Sequence, residues 1–579
     1  MNFGTFNLKE VSARGLRGIK QHWRAALLLA VASLVYGNSL LNNFSYDDEA
    51  YILHNPVVRA LSLHGLFQPN RANNVLRPVT FASFGLNWAI ADAHAFGYHL
   101  VNLLLHALVV LLLYLVLCML LEAIPGATTV AFAAALLFAV HPIHTEAVAS
   151  VTGRSELLAA GFLLSAWLLH LHDRKIPALA CLVLAMMSKE SAVVLFPLVL
   201  AGDYARGKLK HLLSYSSLAG VIGLYLGIFW KLEGGRFGET KVAFVDNPLA
   251  SFPVSLRIPN ALDIAWKYLS LQLYPSRLSY DYSYNAILLY ADWRRLVPAI
   301  AGALLVLALW MWAWWAGRKE WFLAGAMYLG GFAATANILL PTGTIMGERL
   351  AYLPSAGFCL LIALLWARLE KRKRTLAWAV LVILVATLGT RTVVRNRVWR
   401  DNFTLFSADV RTVPGSARAH VNLGHEYLQR NQLEAARAEF ETAIRIFPDF
   451  PSGVENYGLV ESRMGHDEEA LRLFLRAQSL IPRDSTDYDM AAVNLASQLL
   501  KLGRNDEALT LLNQMILEQP DLSPAWSDRA FVRYQRGELP SARSDAETAL
   551  RLDPANLQAR RLLGALDGPI APAPVPPQH

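Results

Sequence analysis

The sequence predicts an all-α protein in two parts, a bundle of about eleven membrane helices followed by a solenoid of paired helices. The 579-residue chain is 54% hydrophobic and only 17% charged, which is too apolar and too long for one soluble domain. Its long apolar runs end near Arg391. Beyond Ala417 the sequence is more polar and repeats with a period of about 34 residues.

The predicted spans are the long apolar runs that precede Arg391. Several are shorter than the ~20 residues that cross a bilayer core, so we expect them to extend into flanking residues or to lie beside longer neighbours. Three cysteines, Cys118, Cys181 and Cys359, fall inside these runs and imply no disulfide framework. The first run lacks a cleavage site and is interpreted as an uncleaved anchor. The spans are approximately 25–41, 97–121, 128–141, 155–171, 176–187, 191–204, 212–230, 296–316, 321–340, 351–367 and 376–391.

Basic residues cluster in alternate loops, which predicts the orientation of the bundle. If the segment 1–24 is cytoplasmic, nearly every basic cluster is cytoplasmic, and the net charge of +8 needs no nucleic acid to explain it. The ambiguous segment 258–274 is interpreted as an interfacial or re-entrant helix, because counting it as a span would place later basic loops outside. The outer face then holds the loops 42–96, 141–154, 188–190, 231–295 and 341–350, together with the soluble part.

The repeats of the soluble part have the tetratricopeptide (TPR) pattern. The first unit carries Gly424, Phe440 and Ala443, and Gly458 and Phe474 stand at equivalent positions of the second. Small residues at such positions let paired helices pack closely. We predict a TPR domain over 402–566 with about four repeats and a capping helix, and a disordered tail over 567–579. The array would present a groove to an extended peptide or a protein, with scaffolding alone as the alternative.

Ionisable side chains gather in four loops assigned to the outer face. Such groups at membrane depth are costly and usually functional, although any one of them alone is equally well explained as a solvated interfacial residue. These ionisable side chains are Asp47, Asp48, Glu49, Arg77, His141, His144, Glu146, Arg154, Glu156, Lys189, Glu190, Glu348 and Arg349. A metal site from His144 and Glu146 is disfavoured because no HExxH or comparable spacing is present. The sequence shows no Gly-rich phosphate loop, nucleophile elbow or Cys–His pair.

This combination of groups fits transfer from a lipid-linked phosphate at the membrane face. A carboxylate is needed to take the proton of an attacking hydroxyl, and fixed cations are needed to hold the departing phosphate. We expect the base to be Asp48 or Asp47, with Glu49 beside them. The expected phosphate ligands are Arg154, Lys189, Arg349 and, less favoured, Arg77. The expected groups that orient the sugar or the site are His141, His144, Glu146, Glu190 and Glu348.

Several strings resemble the transmembrane and TPR-containing protein O-mannosyltransferases, a branch of the GT-C glycosyltransferases. They include SYDDEAYILHNP, RPVTFASFGLNWAI, GYHLVNLLLHAL, HPIHTEAVASVTGRSELLA, SKESAVVLFPLVLAGDY and GERLAYLPSAGFCLL. The resemblance covers nearly the whole chain and implies a GT-C catalytic domain over 25–391. It also implies a polyprenyl phosphate sugar donor such as dolichyl phosphate mannose, and a Ser or Thr hydroxyl of a protein as the acceptor. The family's catalytic acid in the first outer loop maps to Asp47–Asp48.

The resulting hypothesis is an inverting transfer that needs no obligatory cofactor or metal. No KDEL-type retention signal ends the sequence, so we expect a bacterial inner-membrane protein with periplasmic TPRs, or lumenal TPRs at the endoplasmic reticulum if the source is eukaryotic. The alternatives are a lipid, polysaccharide or pilin-like acceptor, and a non-catalytic membrane anchor for the TPRs. A transporter is disfavoured because the ionisable residues lie in loops rather than at mid-span.

Overall fold

A computed structural model describes residues 8–67, 76–232, 242–338, 340–483 and 485–567 of the chain. Within these ranges the secondary structure is helical and contains no strand. Contacts divide the chain into a first unit, 1–283 with 287–412, and a second unit, 284–286 with 413–579. The helix 402–412 therefore belongs to the first unit, whereas we predicted a TPR domain starting at 402. The predicted tail from 568 onward, and the parts 68–75 and 233–241 of the outer loops, lie outside the described residues.

The first unit contains seventeen described α-helices. They are α1 Leu8–Tyr36, α2 Pro56–Ala60, α3 Leu63–Leu66, α4 Pro78–Ala91, α5 Ala95–Leu120, α6 Ala127–Ala139, α7 Thr145–Ala149, α8 Arg154–Leu171, α9 Lys175–Ser188, α10 Leu195–Ala205, α11 Ser216–Leu232, α12 Val254–Leu273, α13 Val297–Trp315, α14 Lys319–Phe332, α15 Ser355–Arg372, α16 Arg374–Asn396 and α17 Asn402–Thr412. Each of the eleven predicted spans overlaps one of these helices. The span predicted at 321–340 is the least accurate, since α14 ends at Phe332.

Five described helices are long and apolar enough to cross a membrane: His22–Leu41, Ala95–Leu120, Leu213–Leu232, Trp293–Trp315 and Arg374–Arg400. A sixth candidate is the pair Ala127–Ala139 and Pro142–Ala149, which bends by 53° where Pro142 begins a new turn. The remaining predicted spans correspond to shorter helices, so the count of eleven stays a prediction. The ambiguous segment 258–274 lies in α12, which is not among the candidates by length and hydropathy.

Small residues let the helices of the first unit approach closely. Helix α6 buries a run of alanines, Ala131 and 133–135, against α1, α5 and α15. Gly357 of α15 lies so close to α14 that an added Cβ would be 2.4 Å from the backbone N of Tyr328. Packing through small side chains is typical of helices in membranes, where lipid is as apolar as the helix surface. The close packing fixes the helix ends that carry the candidate site.

The second unit consists of helix pairs followed by a final helix. The described helices are α18 Ala417–Gln429, α19 Leu433–Ile446, α20 Pro451–Arg463, α21 Asp467–Leu480, α22 Thr486–Lys501, α23 Asn505–Glu518, α24 Ser523–Gln535, α25 Leu539–Leu552 and α26 Leu557–Asp567. The repeat glycines allow the pairs to close: a Cβ on Gly424 would lie 2.6 Å from the ring of Phe440. Four helix pairs and a capping helix agree with the predicted solenoid.

Candidate active site

The first outer loop follows α1 and places its two aspartates in different environments. Asp48 is fully buried, and its carboxylate accepts hydrogen bonds from the backbone N–H groups of Ser45 at 3.0 Å, Thr152 at 2.9 Å and Val151 at 3.4 Å. Burial raises the pKa of Asp48 to about 7, although the three N–H donors favour the ionised form. The Asp48 side chain thus ties the first loop to the turn that precedes α8.

Asp47 remains accessible and faces a guanidinium. Its side chain is 29% exposed, and Oδ2 lies 3.7 Å from Nη1 of Arg349. The same Nη1 lies 3.2 Å from Oε1 of Glu146, and Oε2 of Glu146 accepts a hydrogen bond from the backbone N–H of Arg349 at 2.8 Å. Glu146 is buried and contacts Arg349 from the protein interior. Asp47 is partly exposed and contacts the same guanidinium. Burial opposes ionisation, but the two carboxylates raise the pKa of Arg349 above its ordinary value.

Arg77 and Glu190 form a second, more exposed ion pair. Nε and Nη2 of Arg77 donate to the two carboxylate oxygens of Glu190 at 3.1 and 2.8 Å, a bidentate geometry that fixes the guanidinium plane. Arg77 precedes α4, whose first residue is Pro78. The hydroxyl of Thr80 in the first turn donates to the carbonyl of Ser188 at 2.9 Å. This bond holds the two loops together.

Lys189 has an extended backbone between α9 and the next turn, and its ammonium pairs with Glu156 of α8. Both members of this pair are buried. Burial lowers the pKa of Lys189 below its ordinary value, against the opposing effect of Glu156. Lys189 also interacts electrostatically with Arg77 and Arg349. The three ion pairs therefore belong to one charged cluster.

Tyr51 lies among these charges and was missed by the sequence analysis. Its phenol interacts electrostatically with Asp47, Arg77, Arg349 and Glu190, and burial raises its pKa. The ring stacks on Phe81 with centroids 6.0 Å apart and an interplanar angle of 2°. A signal was available in the string SYDDEAY, which places a second aromatic hydroxyl three residues after Asp48.

The contacts of Arg154 differ from those expected of an accessible phosphate ligand. It is fully buried, and its guanidinium donates to Oδ1 of Asn102 at 2.9 Å and to the carbonyls of Tyr98 at 2.9 Å and Ser83 at 3.2 Å. The guanidinium also lies over the ring of Phe84, 4.8 Å from its centroid. This arrangement connects α4, α5 and α8 and leaves Arg154 inaccessible in this conformation.

The expected orienting residues His141, His144 and Glu348 are also buried. Nε2 of His141 lies 2.9 Å from the carbonyl of Gln272, and Nε2 of His144 lies 2.7 Å from Oγ of Ser355. Oε1 of Glu348 accepts hydrogen bonds from the backbone N–H of Ser279 at 2.5 Å and from the hydroxyl of Tyr282 at 2.8 Å. Each of these three side chains therefore already contacts other protein groups in this conformation.

Glu49 points away from this set of contacts. Its Oε1 accepts a hydrogen bond from Nδ2 of Asn402 at 3.1 Å. Among the described residues, no group of three or more His, Cys, Asp or Glu side chains is arranged to hold a metal ion. The accessible ionisable groups of the charged cluster are the carboxylates of Asp47 and Glu190 and the guanidinium groups of Arg349 and Arg77.

Comparisons with known proteins agree with the two-part architecture. The tetratricopeptide repeat family model matches residues 417–450. The protein O-mannosyl-transferase F38B6.6 of Caenorhabditis elegans is 30% identical over 75% of this chain and 64% of its own length. The protein O-mannosyl-transferase TMTC3 of Homo sapiens is 28% identical over 91% of this chain and 64% of its own length.

The chain spans just under two thirds of the length of these curated relatives. Among solved structures, the TPR protein YrrB matches 34% of this chain and 97% of its own chain at 16% identity, with a TM-score of 0.24, which is too low for a comparison of the folds. The match to the human relative covers 91% of this chain and therefore includes both the membrane part and the repeats. The chain is therefore similar, over most of its length, to named members of the transmembrane and TPR-containing protein O-mannosyltransferase family.

Proposed function

We propose that this protein is an integral-membrane glycosyltransferase that moves a sugar from a polyprenyl phosphate to Ser or Thr hydroxyls of proteins. The names of the relatives indicate that the sugar is mannose. The observation that carries the proposal is the contact between the accessible carboxylate of Asp47 and the guanidinium of Arg349, at 3.7 Å. A base and a phosphate ligand are thus adjacent at one open site. The names of the relatives support the reaction class.

Asp47 is the general base in this proposal, in preference to Asp48. A base must come within hydrogen-bond reach of the acceptor hydroxyl. The Asp48 carboxylate is buried and already accepts three backbone hydrogen bonds, whereas Asp47 is partly exposed. Asp48 instead positions its neighbour by holding the loop against the turn at 151–152.

Arg349 and Arg77 are the proposed phosphate ligands, because both combine a fixed guanidinium with partial exposure, 33% and 20% of the side chain. Guanidinium groups match phosphate oxygens with paired donors. The buried Glu146 orients Arg349, and the more exposed Glu190 orients Arg77. Lys189 is buried against Glu156 and contributes positive potential rather than direct contact. Arg154 anchors helices.

The chemical step is a direct displacement. The acceptor oxygen forms a bond to the anomeric carbon while the bond from that carbon to the phosphate oxygen breaks. The hydroxyl proton passes to Asp47, and the electron pair of the broken bond stays on the phosphate, where Arg349 and Arg77 stabilise the added charge. A single displacement inverts the configuration at the anomeric carbon. Since fixed cations hold the leaving group, the mechanism requires no obligatory metal or other cofactor.

The proposed acceptor is a protein bound by the TPR array. Repeat solenoids offer an extended concave surface, and binding energy gained away from the reacting hydroxyl can be used to position it. We place the reaction on the extracytoplasmic side, with a bacterial inner membrane and periplasmic TPRs as the favoured setting. The distribution of basic loops supports this orientation.

The test uses the purified full chain in detergent with radiolabelled polyprenyl phosphate mannose and a lysate of extracytoplasmic proteins. We expect label in protein bands, released as mannose from Ser or Thr. The Asp47→Asn variant should give no label, and Glu49→Gln, a matched change two residues away, should retain it. Label that appears only in lipid or polysaccharide would contradict the protein acceptor. Absence of transfer from every polyprenyl phosphate sugar would contradict the proposed glycosyltransferase activity.

A further inference from the structure

A groove of about 570 Å³ runs between α10, α13 and α14, separate from the charged cluster at the other end of α10. Its walls are almost entirely apolar and include Leu200, Tyr204, Trp310 and Phe322. The volume is within the ~300–1,000 Å³ that small-molecule sites occupy. Because α13 lies in a candidate membrane span of which only 17% is buried, we expect the groove to border on lipid.

The walls of the groove are held in place by specific contacts. Nε1 of Trp310 donates to the carbonyl of Phe322 at 3.0 Å, and the two rings stack with centroids 5.1 Å apart and an interplanar angle of 8°. Tyr204 packs edge-on against Phe322 at 5.0 Å. The groove is thus a formed site between three helices rather than a gap between loosely packed side chains.

One end of the groove has the aromatic composition that is typical of a membrane–water interface. The hydroxyl of Tyr204 donates to the carbonyl of Trp314 at 3.3 Å, in the tryptophan-rich end of α13 (WMWAWW). Tryptophan and tyrosine concentrate at the headgroup level of bilayers. A ligand that fills this groove would therefore have its polar end beside Tyr204 and its apolar part along α10.

The interfacial end carries an excess of positive charge. Lys210 lines the groove and is 42% exposed, with Nζ 2.9 Å from Asp173. Lys319 lies over the ring of Tyr204, 5.8 Å from its centroid, and makes no ion pair within the described part of the chain. Arg206 and Lys208 share the single carboxylate of Glu122.

The loop that presents Lys210 is anchored to the helices. The backbone N–H of Lys210 donates to the hydroxyl of Tyr215 at 3.1 Å, and that hydroxyl donates to Oδ2 of Asp203 at 2.8 Å. Nε2 of His170 lies 3.0 Å from the same oxygen. These contacts hold the backbone of Lys210 at the mouth of the groove.

We propose that this groove binds one anionic glycerophospholipid, with an acyl chain along α10 and the headgroup phosphate between Lys210 and Lys319. The excess of cations complements a headgroup with net negative charge, and the apolar walls complement the chain. The site is independent of the proposed transfer reaction and lies at the end of the bundle where the positive loops gather.

The test is native mass spectrometry of the full chain in detergent, titrated with phosphatidylglycerol or with phosphatidylcholine of the same acyl chains. We expect one phosphatidylglycerol to be retained with a preference of about fivefold or more over phosphatidylcholine. The double variant Lys210→Gln/Lys319→Gln should lose that preference. The control Lys371→Gln/Lys373→Gln, which removes the same charge from the exposed end of α15, should keep it.

A second variant tests the apolar part of the site. Ala201 lines the groove, so Ala201→Phe should reduce retention of both lipids, while the two double variants keep the chain contacts intact. Equal retention of the two lipids by the wild type would overturn the proposal, as would equal effects of the two double variants. Retention of polyprenyl phosphate at lower concentration than phosphatidylglycerol would also overturn it, because the groove would then belong to the sugar donor.

Discussion

Glu348 offers a stability test of how the site is supported. Its carboxyl is fully buried; Oε1 accepts hydrogen bonds from Ser279 and Tyr282, and Oε2 has no hydrogen-bond partner among the described residues. Burial raises the pKa of Glu348 to about 8. A neutral carboxyl is therefore the favoured form below that pH, and Glu348→Gln replaces it with a neutral group of the same shape.

The sign follows from proton linkage. A folded-state pKa raised from 4.5 to about 8 means that the folded wild type binds more protons than the unfolded chain between these values. Its stability is highest at low pH and falls as pH rises through 8. At ~1.36 kcal/mol per pH unit, the wild type loses about 3 kcal/mol between pH 5.5 and pH 9 through this group. The glutamine variant loses none of that stability.

Thermal unfolding of the detergent-solubilised chain at pH 5.5 and pH 9 measures this difference. We expect similar midpoints for wild type and Glu348→Gln at pH 5.5, and a higher midpoint for the variant at pH 9. The variant should also keep transfer activity, since Glu348 contacts protein groups beneath the site. A variant that is less stable than wild type at pH 9 would refute the reasoning. So would a difference in midpoint between the two proteins that does not change with pH.

Three further predictions concern single substitutions. Asp48→Asn should cost about 1–3 kcal/mol of stability at pH 4, where the raised pKa of Asp48 keeps the folded carboxyl neutral, because at least one buried N–H loses its acceptor; an unchanged thermal midpoint would contradict this. Arg349→Lys should lower kcat for transfer at least tenfold while the chain stays folded, since a lysine cannot keep the Glu146 contact and offer paired donors to phosphate; near-normal kcat would remove Arg349 from the site. Phe440→Ala should destabilise the TPR unit by about 3–5 kcal/mol, read by helical circular dichroism and protease resistance, whereas cleavage at the wild-type rate would refute the packing against Gly424.

The sequence predicted the helix pairs of the second unit well, because the spacing of Gly424, Phe440 and Ala443 encodes local packing. The helices of the first unit were also predictable from apolar runs. Their status as membrane spans was harder to judge, since α14 ends at Phe332 and helices of this length do not distinguish a span from a packed segment. Hydropathy reports the composition of a segment, whereas the length of helix that crosses the membrane also depends on the helices packed beside it.

The composition of the charged cluster was predictable, but the role of each residue was not. Sequence adjacency treats Asp47 and Asp48 as equals, whereas the turn at 45–48 buries one and exposes the other. The same holds for Arg154. An arginine at the start of an apolar helix can serve as a ligand or as an internal anchor, and only its contacts with Asn102 and Phe84 distinguish the two roles. Tyr51 was missed because a tyrosine carries no charge to mark it.

The most direct test of the central claim is a single-turnover measurement on Asp47→Asn at saturating polyprenyl phosphate sugar. Asparagine keeps the size of the side chain, and Arg349 keeps its contact with Glu146 at 3.2 Å, so donor binding should be little changed. A general base accounts for roughly 100-fold to 10,000-fold in rate. We predict a transfer rate at least about 100-fold lower than wild type with a similar donor Kd. A rate within a few fold of wild type, in a folded variant that binds donor, would contradict Asp47 as the base.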